Sequence, residues 1–370
     1  MLGDVLMPGE PRDRRWFLGT TAGAVAAVAL RPRFWGTLGT TKPDAANTGY
    51  RVLGYTRKSL VDRPRGDLVI TRDGTVVEGK RIHGMVRVDA SNVTIRGCEI
   101  VSYPNHPYID TSHYGLISSS GTGNVFKYNH ITQYDPSASA DNSVWWMVGV
   151  LLTGGSATVY RNNIRDVNDG VYFTGGTHQV QGNYIHALGF RTDDQDQAGS
   201  TPPYWSHNDG VQVMGGRNHV IDGNSFKMKF STRTGMNSTV NPGPGPETSW
   251  PNCHGVIMQS YYSQVTGVQI TRNWFKYGAC GVHFAAGSYG PGTATMTGNR
   301  FTPDQCEQFD QYVQIRIDPT TSWPSVSVDS SNVYRNDPGI PLDWRGHPLK
   351  APAVAGTTKI WAYDVSARTR

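Results

Sequence analysis

The sequence has few charged residues and few cysteines. Charged side chains make up 17% of the 370 residues, and the formal net charge of +5 is too small to indicate a nucleic-acid partner. The four cysteines, Cys98, Cys253, Cys280 and Cys306, lack the paired spacing of a zinc site. We expect Cys98, which lies in a strand-like run, to be a core thiol. The other three can supply one disulfide outside the cytoplasm, and their spacing leaves the pairing open.

Beyond residue 30, no run is long and apolar enough to span a bilayer, which needs about 20 residues. Within the first 30 residues, Arg14 and Arg15 precede an apolar run from Gly19 to Leu30 that ends in small residues. This order is typical of a twin-arginine signal peptide. Residues 1–30 are therefore predicted to direct secretion and to be removed, leaving no stable membrane insertion. The alternative is a membrane anchor, for which the apolar run is short.

The usual helix-forming residues are scarce, whereas glycine, at 43 residues, is abundant and recurs in a pattern. A glycine followed by aliphatic residues begins each block, and most blocks contain a second short run that ends in asparagine. The shortest interval between two such glycines, from Gly149 to Gly170, is 21 residues, which is typical of a solenoid. The glycines are Gly115, Gly149, Gly170, Gly210, Gly255 and Gly281, and the asparagines are Asn129, Asn163, Asn183, Asn224, Asn273 and Asn299.

These blocks predict an all-β fold, a single-stranded right-handed parallel β-helix over residues 66–335 with long loops at one corner. Alternation within a strand puts Val171 and Phe173 inward and Tyr172 outward. Asparagine suits the tight turn after the second run, and stacked asparagines can form an internal ladder. Residues 31–65 are predicted to be a linker and an N-terminal cap, and residues 336–370 a C-terminal cap or tail.

Three long insertions fall at the same place in the repeat, directly before the glycine strand: Thr132 to Met147, Gly189 to His207 and Ser231 to Cys253. Insertions at one corner of a solenoid wall a groove on one face. They carry aromatic residues, of which Trp146 and Trp205 are candidates for stacking on sugar rings. The alternative is that these rings only hold the long loops in place.

Two columns of side chains are predicted beside these loops, because equal registers in neighbouring coils stack about 4.8 Å apart. Each column is read from the residues at one fixed distance from the repeated glycine. The residues before the glycines are Asp169, Asp209, His254 and Cys280, with Tyr114 and Val148 at this register on earlier coils. The residues two places after the glycines are Tyr172, Gln212, Ile257 and His283.

The first column indicates acid–base chemistry. Two adjacent carboxylates do not both ionise freely, so Asp209 can be a general acid while Asp169 activates water. His254, and His207 just ahead of Asp209, can tune this pair or carry a proton. The alternative is that both aspartates are turn residues, since Asn-Asp-Gly is itself a turn signal, but turn chemistry does not explain the neighbouring histidines.

With these repeats and this column, the chain resembles the pectin-lyase-like superfamily of right-handed β-helix proteins, in particular secreted actinobacterial ones, over roughly residues 67–334. The superfamily includes polysaccharide lyases, hydrolases, epimerases and binding proteins. The resemblance therefore implies a polysaccharide partner.

A weaker similarity is to the polygalacturonase-type hydrolases, whose coils carry Asn-Thr-Asp, then Asp-Asp, Gly-His-Gly and Arg-Ile-Lys. Asn168-Asp169-Gly170 resembles the first motif, Asn208-Asp209-Gly210 the second and Cys253-His254-Gly255 the third. The doubled Asp is reduced to Asn208-Asp209, and Arg316-Ile317-Asp318 comes one coil late with Asp in place of Lys. The resemblance implies that Asn168, Asn208 and Arg316 contact the substrate.

Three functions fit these observations. The first is glycoside hydrolysis by the paired aspartates, with Tyr172, Gln212 and His283 holding sugar. The second is β-elimination or C5 epimerisation of a uronic acid, in which His207, His254 or Tyr172 removes the proton.

The second function allows a Ca²⁺ ion, whereas hydrolysis requires no cofactor or metal. The third is glycan binding without catalysis, through the aromatic groove alone. We expect a monomer in each case.

Overall fold

The computed structural model describes residues 41–102, 115–133, 147–188, 208–230, 253–276, 278, 280–285, 287–301, 315–317, 323, 325–329, 331–334 and 362–364. Contacts divide the chain into the units Met1–Gly39 and Thr40–Arg370, and all described residues belong to the second unit. No helix among them is long and apolar enough to cross a membrane.

The described residues form three parallel sheets, and each coil of the chain adds one strand to sheet 1, then sheet 2, then sheet 3. Sheet 1 contains Leu68–Ile70, Val86–Val88, Gly115–Ser119, Val148–Leu152, Val171–Phe173, Asn208–Val213, Cys253–Met258, Cys280–Phe284, Ile315–Ile317 and Ala362–Asp364. Sheet 2 contains Val76–Glu78, Thr94–Arg96, Asn124–Lys127, Ser156–Tyr160, Thr177–Gln181, Val220–Asp222, Val268–Thr271, Thr293–Thr297 and Ser325–Val328. Sheet 3 contains Val61–Asp62, Lys80–His83, Glu99–Val101, His130–Thr132, Asn163–Arg165, Tyr184–Leu188, Ser225–Phe230, Trp274–Lys276, Arg300–Phe301 and Val333–Tyr334.

This architecture confirms the predicted parallel β-helix. Every strand pair between coils is parallel, as a solenoid with crossovers of one hand requires. The long insertions run from a strand of sheet 3 to the next strand of sheet 1, as predicted. Two short 3₁₀ helices, Tyr50–Leu53 and Arg57–Ser59, precede the first strand.

The interior is apolar because strand alternation sends every second side chain inward. Val171 and Phe173 are fully buried in the core, as predicted. Phe226, Phe275 and Phe301 stack across three coils of sheet 3, with ring centroids 5.0 and 4.9 Å apart. Equal registers on successive coils therefore carry matching side chains.

A row of buried asparagines follows the turn between sheets 2 and 3, which confirms the predicted ladder. In each coil the side-chain oxygen accepts from the backbone N–H of the preceding coil, and the side-chain amide donates to a backbone carbonyl there. The row consists of Asn129, Asn162, Asn183, Asn224, Asn273, Asn299 and Asn332. The prediction of Asn163 was wrong by one residue, because Asn162 fills the ladder and Asn163 begins the next strand.

The ladder begins at Cys98, whose backbone N–H donates to the side chain of Asn129 at 3.0 Å. Cys98 is a fully buried free thiol, as predicted, and burial raises its pKa to about 11. Cys280 is also fully buried. The side chains of Cys253 and Cys306 lie outside the described residues, so the disulfide stays a prediction.

The structure also corrects the alignment of the first repeated block. Gly115 pairs with Val148 and Ile117 with Val150, so the first block is displaced by one residue from the predicted register. Val150 in turn pairs with Val171. Gly115, and not Tyr114, therefore lies at the register of Asp169, and the local Gly-aliphatic pattern could not reveal this shift.

Strands also form at both ends of the described chain. Val61 pairs with Lys80, within the segment predicted to be the linker and N-terminal cap. Ala362 pairs with Ile315, within the segment predicted to be the C-terminal cap or tail. The coil stack therefore has described strands beyond residues 66–335.

Removing one ladder side chain should be costly. In Asn183→Ala, the buried N–H groups of Asn162 lose an acceptor, and the carbonyl of Val159 loses a donor. Each unsatisfied buried group costs about 1–3 kcal/mol, so we expect a loss of roughly 3 kcal/mol or more in chemical denaturation. Gln269→Ala, at an exposed position of sheet 2, should change stability little. Equal free energies of unfolding for the two variants would contradict the conclusion that the asparagine ladder stabilises the fold.

Two buried histidines should make stability depend on pH. His178 and His219 stack inside the coil with ring centroids 5.4 Å apart. Burial lowers the pKa of His178 to about 3 and of His219 to about 4, and His219 also lowers that of His178. Below the ordinary value of about 6.5 the unfolded chain binds protons that the native state does not. The stabilisation is therefore complete above that value and is lost as pH falls toward 3–4.

The double variant His178→Asn/His219→Asn should flatten this part of the stability profile. Asparagine suits the register, because Asn124 occupies it two coils before His178. Urea unfolding between pH 4 and 7, taken as the difference between parent and variant, measures the effect. If the free energy of unfolding falls equally with decreasing pH in both proteins, these histidines do not cause the loss of stability in acid.

Candidate functional site

The repeated glycines of sheet 1 decide which way the neighbouring residues face. A Cβ on Gly210 would lie 2.5 Å from the ring of Phe226 and 2.5 Å from the carbonyl oxygen of Gly255. Gly170 and Gly255 are crowded in the same way by the core side chains of sheet 3. The valine after each of these glycines is also in the core, so strict alternation is interrupted here. Val148, at the register of Asp169, packs with Leu151 and Tyr172 apart from the core, which places the residue before the glycine on the outer face of sheet 1.

Asp169, Asp209 and His254 are brought together at this position, as predicted. The backbone N–H of Asp209 donates to Oδ1 of Asp169 at 2.7 Å. Oδ1 of Asp209 accepts from the backbone N–H of His254 at 3.0 Å and lies 2.8 Å from its Nδ1. Each carboxylate thus binds the next residue of the column.

The three side chains are almost completely enclosed. Asp169 is 4% exposed, Asp209 0% and His254 3%. In such surroundings a hydrogen bond between a carboxylate and an imidazole is much stronger than in water. The Asp209–His254 pair is therefore rigidly oriented, and turn formation alone does not require it.

A second row lies directly before the first. The side-chain amide of Asn208 donates to Oδ1 of Asn168 at 2.9 Å and to its backbone oxygen at 3.1 Å. The side-chain amide nitrogen of Asn168 lies 3.5 Å from Oδ2 of Asp169. Asn208 is fully buried, so this geometry lets it position the column, and its predicted contact with substrate stays untested.

The column two residues after the glycine has the predicted register. Tyr172 pairs with Gln212, which pairs with Ile257. Ile257 pairs with His283, and His283 pairs with Arg316. This column runs beside the aspartates along the outer face of sheet 1.

Only part of this second column lies near the buried column. The ring centroid of His283 is 4.8 Å from that of His254. Tyr172 is instead buried in an apolar cluster with Val148, Leu151 and Met214. The sequence analysis missed this cluster. Its signal was that Val148, before Gly149, and Leu151, two places after it, are both aliphatic although both registers face outward.

Several predicted site residues cannot be placed. His207, Trp146 and Trp205 lie outside the described residues. Arg316 lies in the strand Ile315–Ile317, but its side chain is outside the described set. The aromatic groove therefore stays a prediction.

The comparisons with known proteins agree with this architecture. The family model for the right-handed β-helix region matches residues 148–310. The chain is a right-handed parallel β-helix protein. Comparison with curated proteins gives no match.

Solved structures similar to this β-helix protein are distant. A PL6 alginate lyase in complex with a trisaccharide is 10% identical, with a TM-score of 0.38 over 70% of this chain and 57% of that one. The catalytic unit of a GH87 α-1,3-glucanase from Streptomyces thermodiastaticus strain HF3-3 is 14% identical, with a TM-score of 0.21 over 82% of this chain and 69% of that one. The β-helix protein spans 57% of the length of the lyase chain. At these identities the likeness concerns the fold alone.

No group of three or more His, Cys, Asp or Glu side chains within the described part of the chain is arranged to hold a metal ion. The column supplies two carboxylates and one imidazole, but they are bound to one another. The described residues therefore present no ligand set for the Ca²⁺ ion that the lyase hypothesis allowed, and this ion stays a prediction.

The glycine that turns Asp209 outward should not tolerate a side chain. In Gly210→Ala, the new Cβ would meet Phe226 and the backbone of Gly255, so the strand must shift. We expect a loss of about 1–3 kcal/mol in thermal unfolding. Gly154→Ala is the matched variant, because its Cβ would find its nearest neighbour at 3.8 Å. A Gly210→Ala protein as stable as Gly154→Ala would show that the close approach is not required.

Proposed function

We propose that this β-helix protein is a polysaccharide-active enzyme, with its reaction centre on the outer face of sheet 1 and His254 as the proton-transfer residue. The observation that carries the proposal is the 2.8 Å contact between Nδ1 of His254 and Oδ1 of Asp209. Asp209 acts as the residue that orients this ring. The proposal therefore gives the two residues different roles.

The contact determines which nitrogen does the chemistry. A carboxylate accepts hydrogen bonds, so Nδ1 of His254 carries the proton that Asp209 binds. Nε2 then holds the basic lone pair, as in other carboxylate–histidine pairs. Imidazole is the side chain whose ordinary pKa lies nearest to neutral pH, which suits it to remove and return a proton.

The reaction that this arrangement supports best is β-elimination or C5 epimerisation of a uronic acid. In elimination, Nε2 takes the proton from C5 and the C5 electron pair forms the C4–C5 double bond. The C4–O bond breaks, and the leaving oxygen takes a proton from the imidazolium or from water. The substrate carboxylate needs a cation, and Arg316, which pairs in register with His283, is the candidate.

Hydrolysis by Asp169 and Asp209 is the second candidate, because the two residues are neighbours in the column. It requires both carboxyl groups to reach the scissile bond. Asp209 Oδ1 is already engaged by the backbone N–H and by Nδ1 of His254, which weighs against a direct role of this carboxylate at a sugar. Asn208, beside Asp209, carries a carboxamide that cannot donate an acid proton.

We further propose that the enzyme is secreted through residues 1–30 and acts as a monomer on a polysaccharide, without nucleic acid and without a required cofactor. The arginine pair and short apolar run support export, and the low net charge agrees with a partner other than nucleic acid.

The test is to incubate the mature protein with polygalacturonate, alginate and a neutral glucan. Ultraviolet absorbance of unsaturated uronates and reducing ends are followed together. We expect both signals to rise on a uronate polymer. His254→Asn should lower the rate by about 100-fold or more, and Asp209→Asn should act in the same direction.

His83→Asn on sheet 3 is the matched histidine variant and should keep full activity. Reducing ends without absorbance would transfer the assignment to the Asp169/Asp209 hydrolase. Tight binding with neither signal on any polymer, and no change of C5 configuration, would leave a binding protein and overturn the enzymatic proposal.

A further inference from the structure

A pocket lies on sheet 3, away from the column of sheet 1. It is formed between residues 45–51 and the outer face of three neighbouring strands, and its volume is about 160 Å³. The lining includes Arg51, Tyr50, His130, Arg165 and His186. It is smaller than the roughly 300–1,000 Å³ of sites for drug-sized ligands, so it suits one functional group.

The N-terminal segment is held in place over this face. The backbone N–H of Gly49 donates to the carbonyl of Arg161 at 2.9 Å. The guanidinium of Arg161 lies 3.3 Å from the carbonyl oxygen of Asn47. Tyr50 is buried, with its ring centroid 6.0 Å from that of His130. The pocket is thus built by tertiary contacts between distant parts of the chain.

The lining is cationic. Two guanidinium groups, Arg51 and Arg165, and the imidazoles of His130 and His186 face it, and none of the described lining residues is acidic. Three acidic groups lie near this set: Asp166, 3.4 Å from Arg165, Asp44 in the overlying segment, and Glu99, which pairs in register with His130. Glu99 is itself paired with Arg57 and Arg81. Arg51 is exposed, so the pocket keeps positive charge after Arg165 and Asp166 are paired.

The histidines are held in fixed orientations. Nε of Arg165 donates to Nε2 of His130 at 3.2 Å, so the His130 ring is neutral and carries its own N–H on Nδ1. Nε2 of His186 lies 3.1 Å from Oδ1 of Asn163, and the His186 ring stacks on Tyr184 with centroids 4.0 Å apart. Fixed donors bind an anion at a lower cost in side-chain entropy than mobile surface residues do.

The positive charge continues along sheet 3 beyond the pocket. His186 pairs with Lys227, and Lys227 pairs with Lys276, so two lysines follow the pocket histidine at about 4.8 Å per coil. The neighbouring column carries Trp274, with the guanidinium of Arg300 5.1 Å from its ring centroid. An aromatic surface beside a line of cations suits sugars that carry negative charge.

We propose that the outer face of sheet 3 binds an acidic glycan, with one carboxylate, sulfate or phosphate group in the pocket and the following sugars along Lys227 and Lys276. A duplex or single strand of nucleic acid would need many more phosphate contacts than this short column offers. A small pocket for one anionic group fits a chain of acidic sugars better. The proposal concerns a site separate from the column of His254 and holds whether or not sheet 1 is catalytic.

Binding of polygalacturonate, alginate, dextran sulfate, neutral dextran and a single-stranded DNA to the mature protein tests this. All titrations use the His254→Asn background, so that no substrate is consumed. We expect binding of at least one acidic glycan and none of neutral dextran. Preference for the carboxylated or the sulfated polymer identifies the anionic group.

Two double variants probe the site, Arg51→Gln/His186→Gln in the pocket and Lys227→Gln/Lys276→Gln in the column. Each double variant removes charge-assisted hydrogen bonds to the anionic group and should weaken binding by about tenfold or more. Arg72→Gln/Lys127→Gln removes two formal charges around sheet 2, as many as the lysine pair and one more than the pocket pair, and should leave binding within about twofold. Thermal unfolding checks that all variants are folded.

Equal weakening by the sheet 2 variant would overturn the proposal, since it would reveal a general charge effect. Tighter binding of DNA than of every glycan would also overturn it. Loss of glycan binding in the sheet 3 variants would support it. The same sheet 3 substitutions made with His254 intact should retain turnover on sheet 1, which would separate the two sites.

Discussion

The backbone hydrogen bonds between successive coils are the constraint on which the rest of this structure depends. They hold each residue directly over its counterpart in the next coil, about 4.8 Å away. A side chain on one coil must therefore be compatible with the same register above and below. Glycine at the start of the sheet 1 strands, asparagine after sheet 2 and phenylalanine in sheet 3 each satisfy this condition in a different way.

The same constraint explains how buried polar side chains satisfy their hydrogen bonds in a narrow core. An asparagine inside the turn can satisfy its amide only on backbone groups of the neighbouring coil. His178 and His219 use the same solution, since each Nδ1 accepts a backbone N–H of the preceding coil. His254 differs because it lies on the outer face, where its Nδ1 meets a carboxylate and not a backbone N–H. The two core histidines therefore satisfy the backbone of the neighbouring coil, whereas Nδ1 of His254 is paired with a side chain.

Stacking also gives the molecule two distinct surfaces. On sheet 1 it lines up Asp169, Asp209 and His254 in a nearly enclosed row. On sheet 3 it lines up His186, Lys227 and Lys276 beside a register that carries Tyr184 and Trp274. Strand alternation and a constant register produce both rows, and the side chains alone decide that the two rows differ in chemistry.

The sequence by itself determined the fold and the composition of the sheet 1 column, because both follow from a repeat that can be aligned without knowing the structure. The alignment failed where the local pattern is ambiguous: Gly115 is displaced by one residue, and Asn162 and Asn163 are the same residue type side by side. Only the tertiary structure decided that Asp209 binds His254 and is buried, and that Tyr172 packs against Val148, Leu151 and Met214. It also decided the sheet 3 pocket, since Arg51, His130 and His186 lie far apart in the chain and meet only when the N-terminal segment packs on the coils. A repeat specifies which residues stack between coils, whereas contacts across a face depend on side-chain packing and on segments outside the repeat.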